Sequence, residues 1–233
     1  MHIYKQIEII DLALYLEKEK VLVFSDLHIG YEESLNKEGV LIPRFQLEDL
    51  IKRLNNILDR VDAKTIVING DLKHEFGTIS QQEWNDTLEV LNLFNNKEII
   101  LVKGNHDNIL GPIADKKNII IQDHYLVDDI YICHGNKIPE DEDFKKAKIV
   151  IIGHEHPCIA FKERKDEKYK CFLKGKWKNK VLIVLPSLNL VTQGTDITKE
   201  KLLSPFLQQK LDDFEVFAVE NKIYDFGKLK DLL

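Results

Sequence analysis

Aspartate, asparagine and histidine residues are concentrated in five short stretches of the sequence, which hold six of the eight histidines. The stretches are 25–28, 69–74, 103–107, 133–136 and 153–156. Carboxylate, imidazole and amide groups suit a catalytic divalent ion, whereas a structural zinc would favour cysteine thiolates in a closed tetrahedron. The candidate metal ligands are Asp26, His28, Asp71, Asn105, His134, His154 and His156. Seven ligands are too many for one ion, so the pattern predicts two.

A short run of apolar residues precedes each stretch. The runs are Val21–Phe24, Ile66–Ile68, Ile99–Val102, Ile130–Ile132 and Ile149–Ile152, and a sixth run is Val181–Leu185. They are apolar throughout rather than alternating, which is typical of strands buried on both faces. A single Gly-Asp after a strand is more often a plain turn. Five successive strand ends with these residues instead favour a site beyond the carboxyl ends of the strands.

Two amphipathic helices lie between the first three predicted strands. Apolar residues recur at helical spacing over Leu47–Leu58 and again over Trp84–Phe94. Ser80 and Glu83 form a capping-box pattern at the start of the second helix. The order strand, helix, strand, helix, strand over residues 20–102 predicts a largely parallel sheet.

The pattern after residue 115 is that of short strands with tight connections, which predicts a second, more antiparallel sheet. Its predicted strands are Ile119–Ile121, Tyr125–Val127, Ile130–Ile132, Ile159–Phe161, Tyr169–Leu173, Phe214–Val219 and Lys222–Phe226. We find no linker and no repeat, and we expect one α/β domain over residues 1–233 in which two sheets pack together.

Composition limits the class of protein. The chain has 233 residues, of which 44% are apolar and 31% charged, enough for a substantial core. A net charge of −6 does not indicate general nucleic-acid binding. The sequence has three cysteines without a Cys-x-x-Cys pair, and it has no leader-like or membrane-spanning apolar stretch. These features predict a protein of the reducing cytoplasm that does not enter a membrane.

The motifs Asp-x-His, Gly-Asp-x-x-His, Gly-Asn-His-Asp, His-Gly and Gly-His-x-His, in that order, resemble the calcineurin-like metallophosphoesterases. The resemblance covers about residues 20–190. It implies a four-layer αββα fold, in which two mixed β-sheets pack face to face and are flanked by helices. His74, three residues after Asp71, resembles the branch that includes SbcD-related nucleases and the small phosphoesterases associated with DNA repair.

The resemblance also implies a role for each candidate residue. The ligands of the first ion would be Asp26, His28 and His156. The ligands of the second ion would be Asn105, His134 and His154. Asp71 would bridge the two ions. Two such ions, about 3.5–4 Å apart, clamp a phosphoryl group and lower the pKa of a bridging water, so that the resulting hydroxide attacks phosphorus.

Three further residues would act on the substrate. His106 would face the phosphate and stabilise developing charge or protonate the leaving group. Asp107 would orient or polarise His106. His74 would contact the scissile phosphate or orient His106, and its alternative role is that of a supporting or surface histidine.

The expected activity is hydrolysis of phosphodiester bonds, with cleavage of DNA or RNA as one form of it. The alternative is a small-molecule phosphatase or nucleotide phosphodiesterase. A non-catalytic protein-binding scaffold of the same fold ranks lower, because the chain keeps every candidate ligand. Manganese is the first expected metal, ahead of iron, zinc, nickel and magnesium, because oxygen and imidazole ligands are mixed here.

The segment Lys162–Lys180 contains nine basic and three acidic residues, a net charge of +6. It predicts a hairpin, and one interpretation is that its lysines contact a phosphate backbone while its aromatic residues stack on bases. Those aromatic residues are Tyr169, Phe172 and Trp177. The alternative is a solvated hairpin, which charge runs usually form. Arg44 is a further candidate for phosphate binding, or it simply begins the first helix. No protein partner can be predicted.

Overall fold

The computed structural model describes residues 1–40, 46–75, 79–107, 110–117, 119–160 and 167–232. Arg44 and the centre of the predicted lysine-rich turn, residues 161–166, lie outside the described residues.

The first sheet has seven strands, which lie side by side in chain order. They are β1 (His2–Tyr4), β2 (Ile7–Ile10), β3 (Ala13–Leu16), β4 (Val21–Phe24), β5 (Thr65–Asn69), β6 (Glu98–Val102) and β7 (Ile120–Gln122). The strands from β1 to β4 pair antiparallel, and those from β4 to β7 pair parallel. The predicted parallel order of β4, β5 and β6 is confirmed, whereas the three amino-terminal strands were not predicted.

The second sheet has nine strands. They are β8 (His124–Val127), β9 (Ile130–Cys133), β10 (Ile149–Ile152), β11 (Pro157–Ala160), β12 (Lys168–Trp177), β13 (Lys180–Val184), β14 (Thr195–Asp196), β15 (Glu215–Val219) and β16 (Ile223–Lys228). Strands β9, β10 and β13 run parallel. The predicted hairpins are confirmed, because β11 pairs antiparallel with β12, and β15 with β16.

Five helices accompany the sheets in the described part of the chain. They are α1 (Tyr31–Lys37), α2 (Gln46–Leu58), α3 (Gln81–Asn92), α4 (Gly111–Lys117) and α5 (Glu142–Lys146). Helices α2 and α3 are the two that the sequence predicts. Only one of the two hydrogen bonds of the capping box of α3 forms. Ser80 Oγ accepts a hydrogen bond from Glu83 N at 3.0 Å. The Glu83 carboxylate turns instead toward the loop after β5, where it accepts a hydrogen bond from His74 N.

The sheets pack face to face through a shared apolar core. Since successive side chains of a strand point to opposite faces, alternate residues of the second sheet belong to different clusters. One cluster joins both sheets to α2 and α3, and its second-sheet members include Ile130, Ile132, Ile149, Ile151 and Ile183. The other cluster covers the outer face of the second sheet with Phe144 of α5 and Phe206. Two mixed sheets with flanking helices are thus the observed architecture.

The carboxyl ends of the parallel strands from both sheets lie on one side of the molecule. A parallel bridge between Ser25 and Ser187 joins the loop after β4 to the loop after β13 at this edge. Among the described residues, no helix has the length and apolar character that crossing a membrane requires.

Candidate dinuclear metal site

The five stretches converge at the carboxyl edge of the two sheets. The loops after β4, β5 and β6 contribute Asp26 with His28, Asp71 and Asn105. The loops after β9 and β10 of the other sheet contribute His134, His154 and His156. All seven predicted ligands are therefore brought together, although they span 131 residues of sequence from 26 to 156.

The first group consists of Asp26, His28 and His156, whose ligand atoms lie within 4.8 Å of one another. His156 Nε2 lies 3.2 Å from Asp26 Oδ1 and 3.3 Å from His28 Nε2. Asp26 Oδ1 is buried and accepts no hydrogen bond from any described residue. A buried carboxylate oxygen facing two imidazole nitrogens fits a divalent cation, which would satisfy all three lone pairs.

The second group consists of Asp71, His134 and His154, whose ligand atoms also lie within 4.8 Å of one another. His134 Nε2 lies 3.1 Å from His154 Nδ1 and 3.3 Å from Asp71 Oδ2. Asn105 Oδ1 lies 3.0 Å from the same His134 nitrogen. Two imidazoles, a carboxylate and an amide oxygen thus surround one point, which is a ligand set that divalent metals accept.

Asp71 lies between the two groups. Its Oδ2 is 3.3 Å from His134 Nε2 in the second group and 3.8 Å from His28 Nε2 in the first. Its Oδ1 accepts a hydrogen bond from His106 N at 2.9 Å, which fixes the orientation of the carboxylate. This carboxylate is therefore placed where it can serve both ions.

Burial and charge shift the pKa values of these groups, downward for two of the histidines and upward for His134. Burial lowers the pKa of His28 to about 3 and that of His154 to about 4, so both rings are neutral and have a free lone pair. Burial alone would raise the pKa of Asp26, but the surrounding histidines hold it well below its ordinary value. Burial opposes the charged form of His134 as well, but Asp71 and Asp26 outweigh it and raise the pKa of His134 to about 9.

The backbone of the ligand loops is unusual. Ten described residues other than glycine have a positive φ, and five of them are candidate ligands. These five are Asp26 (56°), His28 (46°), Asp71 (49°), His154 (66°) and His156 (51°). Strained conformations of this kind cluster at functional sites, where the surrounding structure enforces them. Sharp left-handed turns let ligand side chains leave the strand ends in the directions that the site requires.

Glycines let the loops approach one another closely. A Cβ at Gly104 would lie 2.1 Å from Asp71 Oδ1, and one at Gly70 would lie 2.2 Å from His134 Nδ1. A Cβ at Gly153 would lie 2.6 Å from Asp26 Oδ2. Any side chain at these positions would displace a candidate ligand.

The predicted catalytic histidines lie beside the first group. The ring centroid of His106 is 4.8 Å from that of His28 and 5.4 Å from that of His74. His106 Nδ1 is hydrogen-bonded to the backbone carbonyl of His74, which leaves Nε2 toward Asp71 Oδ2 at 4.0 Å. Burial lowers the pKa of His74 to about 4, so its ring is neutral.

Asp107 is buried behind the ligand loops rather than at their surface. Its two oxygens accept hydrogen bonds from Leu72 N at 3.1 Å and from Gly104 N at 2.9 Å. Burial raises the pKa of this carboxyl group to about 6. These contacts join the second and third ligand loops, so Asp107 supports the geometry of Asp71 and Asn105.

Two supporting residues were missed by the sequence interpretation. The ring of Tyr31 stacks on His74 with centroids 4.0 Å apart. Glu83 Oε1 accepts hydrogen bonds from His74 N at 3.1 Å and Glu75 N at 3.2 Å, and so holds the loop that carries His74. The capping-box pattern marked Glu83 as structural, but no sequence signal connected either residue with the site.

Lysines of the Lys162–Lys180 segment contact groups of the protein itself. Two form ion pairs with glutamates and two donate to backbone carbonyls. These four are Lys168, Lys174, Lys170 and Lys180. The prediction that Phe172 stacks on bases is wrong, because this ring is fully buried between the sheets. Trp177 pairs with Lys180 at the amino end of β13, opposite the ligand groups, and packs on Phe206.

Comparison with known proteins agrees with this geometry. The family model for calcineurin-like phosphoesterases matches residues 19–218. The chain belongs to this family. Membership in the calcineurin-like phosphoesterase family makes it a metal-dependent hydrolase of phosphate esters, and the two ligand groups could hold the divalent metals that the family uses.

Comparison with solved structures finds matches at low sequence identity. A nuclease named MPE from Pseudomonas putida has a TM-score of 0.69 and 19% identity, over 94% of this chain and 93% of the nuclease. The phosphoesterase YfcE from E. coli has a TM-score of 0.46 and 15% identity, over 90% of this chain and 97% of its own. No curated protein matches the sequence.

Proposed function

We propose that this chain hydrolyses phosphodiester bonds with two divalent ions, manganese being the first expected metal. The first ion would be held by Asp26, His28 and His156. The second would be held by Asn105, His134 and His154. The observation that carries the proposal is the position of the Asp71 carboxylate, which lies between the two groups and within 3.8 Å of a histidine nitrogen of each.

The protein's own groups provide a frame for the reaction. When bound, a pair of divalent ions neutralises phosphoryl charge and lowers the pKa of the attacking water. Asp71 Oδ1 is fixed by His106 N, so its other oxygen stays directed at both positions. The ring of His106 lies beside that of His28 and is held through Nδ1, so Nε2 would be the atom that meets a bound phosphate. Its roles would be to stabilise charge on the phosphate and to protonate the leaving oxygen.

The cavity beside the second group supports a substrate larger than a simple phosphate. Its volume is about 580 Å³, within the range of ligand-binding pockets. Gly104 and His134 are part of its lining, which places it next to the metal positions. Lys103 and Lys137 also line it and offer two ammonium groups to a second phosphate.

Acidic groups in the same cavity favour a nucleotide-sized substrate. Asp123 and Glu140 line it together with the two lysines. Carboxylates would repel a continuous polyanion but accept hydrogen bonds from sugar hydroxyl and base amino groups. We therefore infer that short nucleic acids of a few nucleotides and nucleotide phosphodiesters are preferred over long strands. The P. putida neighbour is named a nuclease, which agrees with this choice.

The metal assignment and the catalytic role of His106 can be tested with two variants. His106→Ala should keep two bound Mn²⁺ ions but lose about 10²- to 10⁴-fold in turnover of bis-p-nitrophenyl phosphate, because only proton transfer and charge stabilisation are removed. Asp71→Asn should lose metal, because the amide cannot bridge two cations. Metal content is measured by elemental analysis after gel filtration.

Matched controls are His2→Ala and Asp59→Ala, which change exposed residues away from the site. Both should behave as the unmodified protein. Loss of metal from His106→Ala would overturn the catalytic assignment, and full metal content in Asp71→Asn would overturn the bridging assignment.

Substrate preference needs a panel of esters. Activity on bis-p-nitrophenyl phosphate is compared with p-nitrophenyl phosphate, a dinucleotide and a labelled single strand, each with Mn²⁺, Fe²⁺, Zn²⁺, Ni²⁺ and Mg²⁺. We expect Lys103→Gln combined with Lys137→Gln to raise KM for the dinucleotide by roughly five- to tenfold, since each exposed charge pair contributes up to about 1 kcal/mol. Lys201→Gln is the control. Turnover of the monoester alone would refute the diesterase proposal.

A further inference from the structure

Lys170 is a lysine of β12 whose ammonium group is hydrogen-bonded to other groups of the protein. It donates hydrogen bonds to Ser187 O at 3.0 Å, Ser187 Oγ at 2.6 Å and Asn189 O at 2.7 Å. An ammonium group has three N–H donors, so these three acceptors use its full capacity. The side chain therefore ties β12 firmly to segment 187–189 in the loop after β13.

Segment 187–189 in turn holds the loop that carries the first two candidate ligands. Leu188 N donates to Ser25 O at 2.8 Å, and Asn189 N donates to Asp26 O at 3.1 Å. Asn189 Nδ2 donates to Leu27 O at 3.0 Å. Every backbone carbonyl from residue 25 to residue 27 thus accepts a hydrogen bond from this one segment.

The loop needs such support because its backbone is strained. Asp26 and His28 both have a positive φ, a conformation that costs L-residues on the order of 1–3 kcal/mol and persists only where the surroundings enforce it. On the opposite side, Asp26 N and His28 N donate to Gly70 O and Asp71 O at 3.1 Å and 2.9 Å. Segment 187–189 provides the second half of this clamp.

We propose that Lys170 is a positioning residue for the first metal ion, acting through Ser187 and Asn189 on the backbone that directs Asp26 and His28. This inference rests on the proposed metal positions. Lys170 touches neither ligand, so it would affect where their donor atoms lie rather than their chemistry. Groups that orient ligands in this way typically change metal affinity by about 10- to 100-fold when they are removed.

The test is to measure the stepwise binding of Mn²⁺ to the metal-free protein by titration calorimetry. Lys170→Met keeps the length of the side chain but removes its donors. The matched control is Lys174→Met on the same strand. Lys174 also has a partner within the protein, Glu215 at 2.5 Å, but none of the hydrogen bonds and ion pairs among the described residues joins it to segment 187–189. Ser187→Ala removes one of the three acceptors with little change of volume and serves if Lys170→Met folds poorly.

We expect Lys170→Met to weaken one of the two Mn²⁺ binding steps by 10- to 100-fold and the other by less than threefold. Ser187→Ala should weaken the same step by a smaller factor. The electron paramagnetic resonance signal of a coupled Mn²⁺ pair should be lost at ion concentrations that saturate the unmodified protein. Lys174→Met should show normal affinities even if its melting temperature falls.

Equal weakening in Lys170→Met and Lys174→Met would overturn the inference, because it would indicate general loosening of β12. Unchanged affinities in Lys170→Met and Ser187→Ala would overturn it as well. If the unmodified protein bound no Mn²⁺ pair, the proposed function itself would fail, so the two failures are distinguishable.

Discussion

Substitution of Gly104 by alanine should disable the metal site through a steric effect alone. The new Cβ would lie 2.1 Å from Asp71 Oδ1 and 2.4 Å from Asp71 N, whereas ordinary contacts begin at 3.4 Å. The carboxylate would therefore have to withdraw by about 1.3 Å, the difference between 2.1 and 3.4 Å. Rotation of the side chain cannot relieve the contact, because the Asp71 backbone nitrogen is also too close.

A displacement of about 1 Å in a reacting assembly can lower turnover on the order of 10²-fold. Since Asp71 is proposed to serve both ions, Gly104→Ala should also weaken both Mn²⁺ binding steps. Crowding of a packed region costs about 1–3 kcal/mol, so the variant should fold with a lower melting temperature. Circular dichroism, calorimetry with Mn²⁺ and turnover of bis-p-nitrophenyl phosphate measure the three effects.

Gly111→Ala is the matched control for this variant. It makes the same chemical change at the first residue of α4, where a Cβ would meet nothing within 4 Å. It should leave metal binding and turnover unchanged. If Gly104→Ala bound two Mn²⁺ ions and turned over substrate within threefold of Gly111→Ala, Asp71 could not occupy the bridging position.

Two further predictions follow from pKa values at buried groups. The pKa of His134 is raised to about 9 in the metal-free protein, so metal must displace a proton below that pH, and the affinity for Mn²⁺ should increase from pH 7 to pH 9. Calorimetry in buffers of different ionisation enthalpy should count the released proton. An affinity that does not change with pH would contradict this prediction. The three cysteines are buried and unpaired, and burial raises the pKa of Cys133 and Cys158 to about 12. A thiol reagent at pH 8 should therefore label none of them until guanidinium unfolds the chain, and rapid labelling of the native protein would show that the core is open.

Sequence patterns predicted the elements that present the candidate ligands because those elements have the clearest physical signature. Strands β4, β5, β6, β9 and β10 are buried on both faces, so each is an unbroken apolar run followed by polar loop residues. The convergence of the loops then follows from the parallel arrangement of the strands.

The amino-terminal strands escaped prediction partly because two of the turns beside them have lysine at the left-handed position. Lys5, Asp11 and Lys20 have positive φ values of 45°, 58° and 55°, and they lie next to the ends of β1, β2 and β4. Glycine or asparagine is the usual residue in that conformation, so lysine gave no sign of a turn. Each strand has only three or four residues, too few for a reliable alternation of apolar and polar side chains.

The lysine-rich segment was interpreted as a surface feature because burial cannot be read from charge. β12 lies inside the nine-stranded sheet, between β11, β13 and β15. The middle of this strand, residues 171–173, is buried on both faces, so Phe172 lies in the core. Lys170 beside them turns inward to carbonyl acceptors that come from a distant loop. The acceptors of a buried lysine depend on tertiary contacts, and no local pattern encodes them.

The left-handed backbone of the candidate ligands also has a consequence for evolution and for engineering. Glycine would adopt these φ values freely, whereas aspartate and histidine raise the energy of the fold by about 1 kcal/mol or more at each position. Five such positions together approach the net stability of a small protein, which is about 5–15 kcal/mol. Selection for thermal tolerance alone would therefore enrich glycine at these five positions. Any screen for more stable variants of this chain must measure turnover at the same time, because the most stable variants would be inactive.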